Sequence, residues 1–204
     1  MRLFSKDAPL RISCYGDSNT RFYLGDEQCD GPDADSYPHQ LQELFRAGGF
    51  AHVAVVNNGY PDMQTDFALA HFDENTAGAQ LCILGFGTNN IRQPDADLDS
   101  YLRDFGALFD RCHAAHIEPM ALLIPWYSAD YAGPAAQRRL PVWNRALAGL
   151  CAEKGAQIID VASLFSADPA RFYNERRTAH RHFSPEAAGI IARMIFTAVA
   201  PLIR

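Results

Sequence analysis

The feature that most constrains this chain is an alternation. Five short apolar runs, at residues 10–15, 52–56, 80–86, 119–124 and 157–161, are each followed by a longer segment. Runs of this length, rich in Val, Ile and Leu and closed by Gly, Asn, Asp or Pro, predict buried strands. The segments at 38–47, 63–72, 98–116 and 137–153 predict helices. In 98–116, for example, Tyr101, Leu102, Phe105, Leu108 and Phe109 recur at helical spacing. A last helix is predicted over 185–203, with Ser184 as its cap and Pro185 at its first position. Strands that alternate with helices form a parallel sheet covered on both faces, and right-handed crossovers make it a three-layer α/β/α sandwich. The chain has 204 residues and is 48% hydrophobic, enough for one domain spanning residues 1–204.

Composition removes several function classes. The formal net charge is -6 and no long basic run occurs, so nucleic acid is not expected as the main partner. The pairs Arg138-Arg139 and Arg176-Arg177 read as solvated faces or local anion contacts. No Gly-x-Gly-x-x-Gly follows the first strand and no Walker A sequence is present, so the usual nucleotide fingerprints are missing. The five cysteines show neither metal-ligand spacing nor a disulfide framework. No cofactor or metal is called for, and a reducing, cytoplasmic setting is expected. The N-terminus breaks at Lys6-Asp7 and does not read as a signal peptide. No run reaches the roughly 20 apolar residues of a spanning helix, so no membrane partner is expected. A homo-oligomer stays open.

The ends of the predicted strands hold the polar residues that matter. Gly16-Asp17-Ser18 closes the first run, the polar stretch 57–62 follows the second, and Asn89 follows the third. His182 stands before the last helix. Each has a plain structural reading: Ser18 or Asn89 as a helix cap, His182 as a surface residue. In an open parallel sheet, however, ligand crevices form beyond the C-terminal ends of the strands, where all four can meet. A serine hydroxyl becomes a nucleophile when a base takes its proton, and histidine is the usual base. The oxyanion formed in acyl transfer needs donors aimed at it. A backbone N–H at Ser18, one from the 57–62 stretch and the Asn89 amide can supply three.

These blocks resemble the SGNH (GDSL-type) hydrolase family of esterases and lipases. Gly16-Asp17-Ser18, followed by Asn19-Thr20, is similar to the family's first block. Gly87-Thr88-Asn89-Asn90 is similar to its third, and His182-Phe183-Ser184-Pro185-Glu186 to its last. The blocks fall in family order across almost the whole chain, and the CYGDSNT wording is especially similar to small bacterial arylesterase-like and acyltransferase-like members. The resemblance implies a flavodoxin-like sandwich. It implies Ser18 as nucleophile and oxyanion donor, Asn89 as side-chain donor, and His182 as general base and then acid. The substrate would be a small-molecule ester with a short acyl or aryl group.

Two positions depart from the family pattern. The second block usually reads Asn-x-Gly-x-x-Gly, and Asp62 stands where its second glycine belongs. Either Asp62 or Gly59 is then the second backbone donor. The family also carries an aspartate three residues before the histidine, where this chain has Ala179. Asp62 and Glu175 are the candidate carboxylates to orient His182, and a backbone carbonyl is another route. Trp126, Tyr127 and Tyr131, with Phe22 and Tyr23 opposite, are the candidate substrate contacts. The substitution at Ala179 also motivates an alternative, a non-catalytic binding or scaffold protein on the same fold. A third reading is a metal-dependent phosphoesterase using Asp17, Asn89 and His182, but no paired carboxylates suggest a metal site.

Overall fold

The structure is a computed structural model that describes residues 2–22, 33–127, 129–173 and 182–204. Its strands are β1 (Leu10–Gly16), β2 (Val53–Gly59), β3 (Leu81–Gly85), β4 (Glu118–Leu122) and β5 (Gln157–Ile159). They form one five-stranded parallel sheet in the order β2-β1-β3-β4-β5. The chain steps from β1 outward to β2, then crosses back to β3 on the other side of β1. The boundary between β1 and β3 is therefore the point where the winding reverses.

Alternation along the strands sets two cores. Ile12, Cys14, Ile83 and Met120 face one side with Tyr37, Leu41 and Phe45 of α2 (Tyr37–Ala47) and with Ile191 and Ile195 of α10 (Pro185–Val199). Tyr15, Cys82, Leu84 and Ala121 face the other. There they meet Tyr101, Phe105 and Phe109 of α6 (Leu98–Ala114) and Trp143 and Leu147 of α7 (Ala129–Lys154). These side chains are almost wholly buried, and each large one stabilises the fold by about 1.5–3 kcal/mol. Helices thus cover both faces of a parallel sheet, the three-layer α/β/α arrangement expected from the sequence.

The element boundaries differ from the sequence reading in instructive places. Residues 57–59, expected in a loop, extend β2 and pair with Cys14, Tyr15 and Gly16. Their polarity is satisfied inside the fold: the Asn58 amide donates to Ser13 Oγ at 3.0 Å and to the Asn75 carbonyl at 2.7 Å. The helix expected over 63–72 is two short ones, α3 (Thr65–Ala70) and α4 (Phe72–Thr76), which meet at His71. Gly133 kinks α7 with φ 80° and ψ 157°. Asp160, expected in the fifth strand, instead caps α8 (Val161–Ala167) by accepting the Ser163 N–H at 3.0 Å. Part of the expected polar stretch from 166 is α9 (Pro169–Phe172). The stretch Pro185–Leu202 is apolar enough to match a membrane span by length and composition alone. Its Ala188, Ile191, Ala192 and Ile195 are fully buried in the first core.

Candidate active site

Three glycines lie side by side where the sheet ends: Gly16 of β1 pairs with Gly59 of β2 and with Gly85 of β3. The chain after each strand is stitched to its neighbour. Asp17 N–H donates to the Gly85 carbonyl at 3.2 Å, and Tyr60 N–H donates to the Gly16 carbonyl at 2.9 Å. A β-carbon on Gly16 would sit 2.1 Å from Thr20 Oγ1 and 2.8 Å from the Gly85 carbonyl oxygen, so this tight turn requires glycine.

The turn leads straight into α1 (Ser18–Arg21), a helix that the sequence reading placed in turn and loop. Its cap is Asp17, whose carboxylate accepts the Asn19 N–H at 2.9 Å. Ser18 is therefore the first helical residue, not the cap. Its hydroxyl lies 3.0 Å from Nε2 of His182, across 164 residues of sequence. Both side chains are buried, at 7% and 4% exposure. Three contacts place His182. Phe183 N–H donates to Asn19 Oδ1 at 3.2 Å, Phe183 bridges Tyr173, and Ser184 caps α10 by accepting the Ala187 N–H at 3.2 Å. A histidine whose Nε2 accepts from a hydroxyl carries its proton on Nδ1.

Asp17 is buried to 2% exposure. Burial pushes its carboxyl up to about 6, the nearby Asp62 carboxylate adds to the rise, and hydrogen bonds from Asn19 and Thr88 oppose it. Asp17, Thr88 and Phe183 line a void of about 20 Å³, roughly the size of one water.

Asn89, expected in a turn, lies inside the short α5 (Thr88–Arg92). Gly87 begins that helix at φ 131°, and a β-carbon there would strike Ile124 at 2.6 Å. Asn89 is 4% exposed. Its Nδ2 donates to the Met63 carbonyl at 3.0 Å, and its Oδ1 accepts from Nη1 of Arg92 at 3.2 Å. Met63 follows Asp62, so this contact ties α5 to the second block.

Asp62 takes a left-handed conformation at φ 60°. That is the backbone geometry glycine supplies, and aspartate is among the few other residues that tolerate it. The Asp62 side chain is exposed, and its N–H has no acceptor among the described residues. Gly59 differs. Its N–H donates to Asn57 Oδ1 at 3.1 Å, and a β-carbon there would lie 2.1 Å from the Arg21 nitrogen. The residue permits α1 to rest on β2, and its donor is already engaged.

Several expected contacts fall elsewhere. Phe22, at 3% exposure, is packed in the first core and closes α1 at φ 65°. Tyr127, at 1% exposure, is packed in the second core. Neither forms a crevice wall, because each aromatic ring folds inward where the sheet ends. Trp126 is half-buried, contacts the Tyr173 ring at 6.4 Å, and lines a groove of about 360 Å³ with Arg145 and Ser163. Tyr23, Glu175 and Ala179 lie outside the described residues, as does the side chain of Tyr131. Among the described residues Asp62 makes no hydrogen bond or ion pair with His182. No three His, Cys, Asp or Glu side chains among the described residues gather as metal ligands.

Arg92 and Asn144 carry no signal in the sequence. Asn144 of α7 grips both backbone groups of Ile124, accepting its N–H at 2.9 Å and donating to its carbonyl at 2.8 Å. Arg139, expected on a solvated face or at an anion, donates to the Ile91 and Gln93 carbonyls at 3.3 and 3.1 Å. The helix α5 ends with these carbonyls free of helical partners, which a half-buried donor can satisfy, but neither pairing has a sequence signature.

The model of the GDSL-like Lipase/Acylhydrolase family matches residues 14–190. No curated protein sequence matches the chain. Among solved structures, a lipase/acylhydrolase from Enterococcus faecalis is similar at a TM-score of 0.82 and 16% identity, with 96% of this chain and 97% of that one covered. Axe2, an acetylxylan esterase from Geobacillus stearothermophilus, is similar at a TM-score of 0.73 and 19% identity, with 100% and 99% covered. At those identities the likeness is one of fold. With the family model spanning most of its length, the chain belongs to the GDSL-like lipase/acylhydrolase family, the SGNH-type hydrolases, and shares the esterase and acyltransferase activity general to them.

Proposed function

We propose that the chain hydrolyses or transfers short acyl or aryl esters through an acyl-enzyme on Ser18. The observation that carries this reading is the 3.0 Å contact between His182 Nε2 and Ser18 Oγ. In this mechanism His182 removes the hydroxyl proton as Ser18 Oγ attacks the ester carbonyl. The tetrahedral oxyanion is held by the Ser18 N–H, the Asp62 N–H and the second hydrogen of Asn89 Nδ2. The left-handed backbone at Asp62 and the engaged N–H of Gly59 favour Asp62 over Gly59 as the second donor. The intermediate collapses, His182 returns the proton to the leaving alcohol, and the acyl group stays on Ser18. Water or an alcohol then repeats the sequence in reverse, with His182 again taking and returning the proton.

The test is hydrolysis of p-nitrophenyl acetate by wild type, Ser18→Ala and His182→Ala. Wild type should turn the ester over, and each substitution should lower kcat by a factor on the order of 10³ or more. Ser18→Ala that hydrolyses as fast as wild type overturns the serine mechanism. A wild type that binds but never cleaves esters points instead to a binding protein on this fold.

A further inference from the structure

The oxyanion donor assigned to Asn89 depends on which way its amide faces. An amide rotated by half a turn presents its oxygen to the crevice, and that lone pair would repel the developing negative charge. We infer that Arg92 is a positioning residue that locks the Asn89 amide with its nitrogen toward the oxyanion; this rests on the reading above.

Three observations around one short helix carry the inference. A guanidinium has donors only, so the Nη1 contact at 3.2 Å can be made only to the amide oxygen. On the opposite edge of the amide, the Met63 carbonyl is an acceptor only and takes one Nδ2 hydrogen at 3.0 Å. Together they clamp the amide from both ends and leave its second hydrogen over. Arg92 is itself held on a fixed platform. It is partly buried, and Arg139 of α7 ties down the Ile91 and Gln93 carbonyls on either side of it. Gln93 Nε2 donates to the Asn89 carbonyl at 3.1 Å, which tightens the same turn. A charged donor on Oδ1 also polarises the amide and strengthens its remaining N–H.

A cation in the last turn of a helix has a simpler role, which is to offset the free carbonyls there. That role supports folding and is indifferent to the side chain at position 89. The two roles separate in a double-mutant cycle with Arg92→Ala, Arg92→Lys, Asn89→Ala and Asn89→Ala/Arg92→Ala. The readouts are kcat and KM on p-nitrophenyl acetate, Tm, and the side-chain ¹⁵N–¹H₂ signals of asparagine-labelled protein.

Arg92→Ala should lower kcat about tenfold, the worth of one charge-assisted hydrogen bond, with KM within about twofold. Arg92→Lys, which keeps a cationic donor, should recover part of the loss. In the Asn89→Ala background the same Arg92→Ala change should alter kcat by less than about twofold. The Asn89 amide pair, identified as the signal missing from Asn89→Ala, should shift in Arg92→Ala. Equal losses of kcat in both backgrounds, an unaffected kcat, or an unmoved Asn89 signal overturns the inference. A wild type without esterase activity, or Ser18→Ala as active as wild type, defeats the parent reading instead. The amide signal then still decides whether Arg92 holds Asn89.

Discussion

Asp62 shows how one residue can keep a backbone role while changing the chemistry around it. A left-handed turn favours glycine, asparagine or aspartate, and at this position the chain uses the one that brings a charge. The carboxylate is exposed, so water screens it, yet it contributes to the raised Asp17 carboxyl. A negative charge there opposes the oxyanion that the Asp62 N–H is proposed to hold. Asp62→Asn keeps the backbone preference and removes the charge. It should raise kcat on p-nitrophenyl acetate about two- to fivefold at low ionic strength, the range for solvated charge pairs. The gain should shrink toward unity as salt is added. A lower kcat at every salt concentration would show that the carboxylate itself assists the reaction.

The loop after β4 is held by an element distant in sequence. Asn144, at 8% exposure, bonds both the N–H and the carbonyl of Ile124 from the middle of α7. Asn144→Ala leaves two buried backbone groups unpaired, at about 1–3 kcal/mol each. For a chain of this size a loss of 1 kcal/mol lowers Tm by about 2–4 °C. Thermal unfolding of Asn144→Ala should therefore show a drop on the order of 5–15 °C, with Asn144→Asp, which retains the acceptor, between the two. A Tm within about 2 °C of wild type would mean that water replaces the amide. This grip also marks the limit of legibility. Strands and long helices were readable because their apolar periodicity is local, and Ser18, Asn89 and His182 because each sits in a block beside a strand or helix end. The helices α1, α5 and α8 were not, since four to seven residues carry too little periodicity to distinguish a helix from a turn. Asn57 to Gly59 read as loop because the buried partners of Asn58, Ser13 and Asn75, are set by the tertiary fold. Phe22 and Tyr127 read as substrate walls because a sequence does not show whether a ring after a strand turns out or in.

At the scale of the whole molecule, the two cores meet where the sheet ends, and the Gly16-Asp17-Ser18 turn is enclosed between them. Enclosure makes Asp17 a buried acid whose ionisation couples to folding. Its carboxyl rises from an ordinary value near 3.8 to about 6, with burial as the leading cause. Between those two values the folded chain keeps a proton that the unfolded chain has released. The folded state then binds more protons than the unfolded, so stability must fall as pH rises through this window. On this group's account stability is highest below pH 4 and levels off above pH 6. The full loss is roughly 2–3 kcal/mol. Asp97 and Glu186 act in the opposite sense, since hydrogen bonds from Ser100 and from Arg171 lower their carboxyl values. Their contribution is common to wild type and Asp17→Asn and cancels in the difference. Asparagine can still accept the Asn19 N–H but has no charge to bury. Urea unfolding of the two proteins at pH 4, 5, 6 and 7 isolates the term. The stability of Asp17→Asn relative to wild type should grow by roughly 2–3 kcal/mol from pH 4 to pH 7. A difference that stays flat, or that shrinks as pH rises, would show that the Asn19 and Thr88 hydrogen bonds outweigh burial and that Asp17 is ionised in the folded protein throughout.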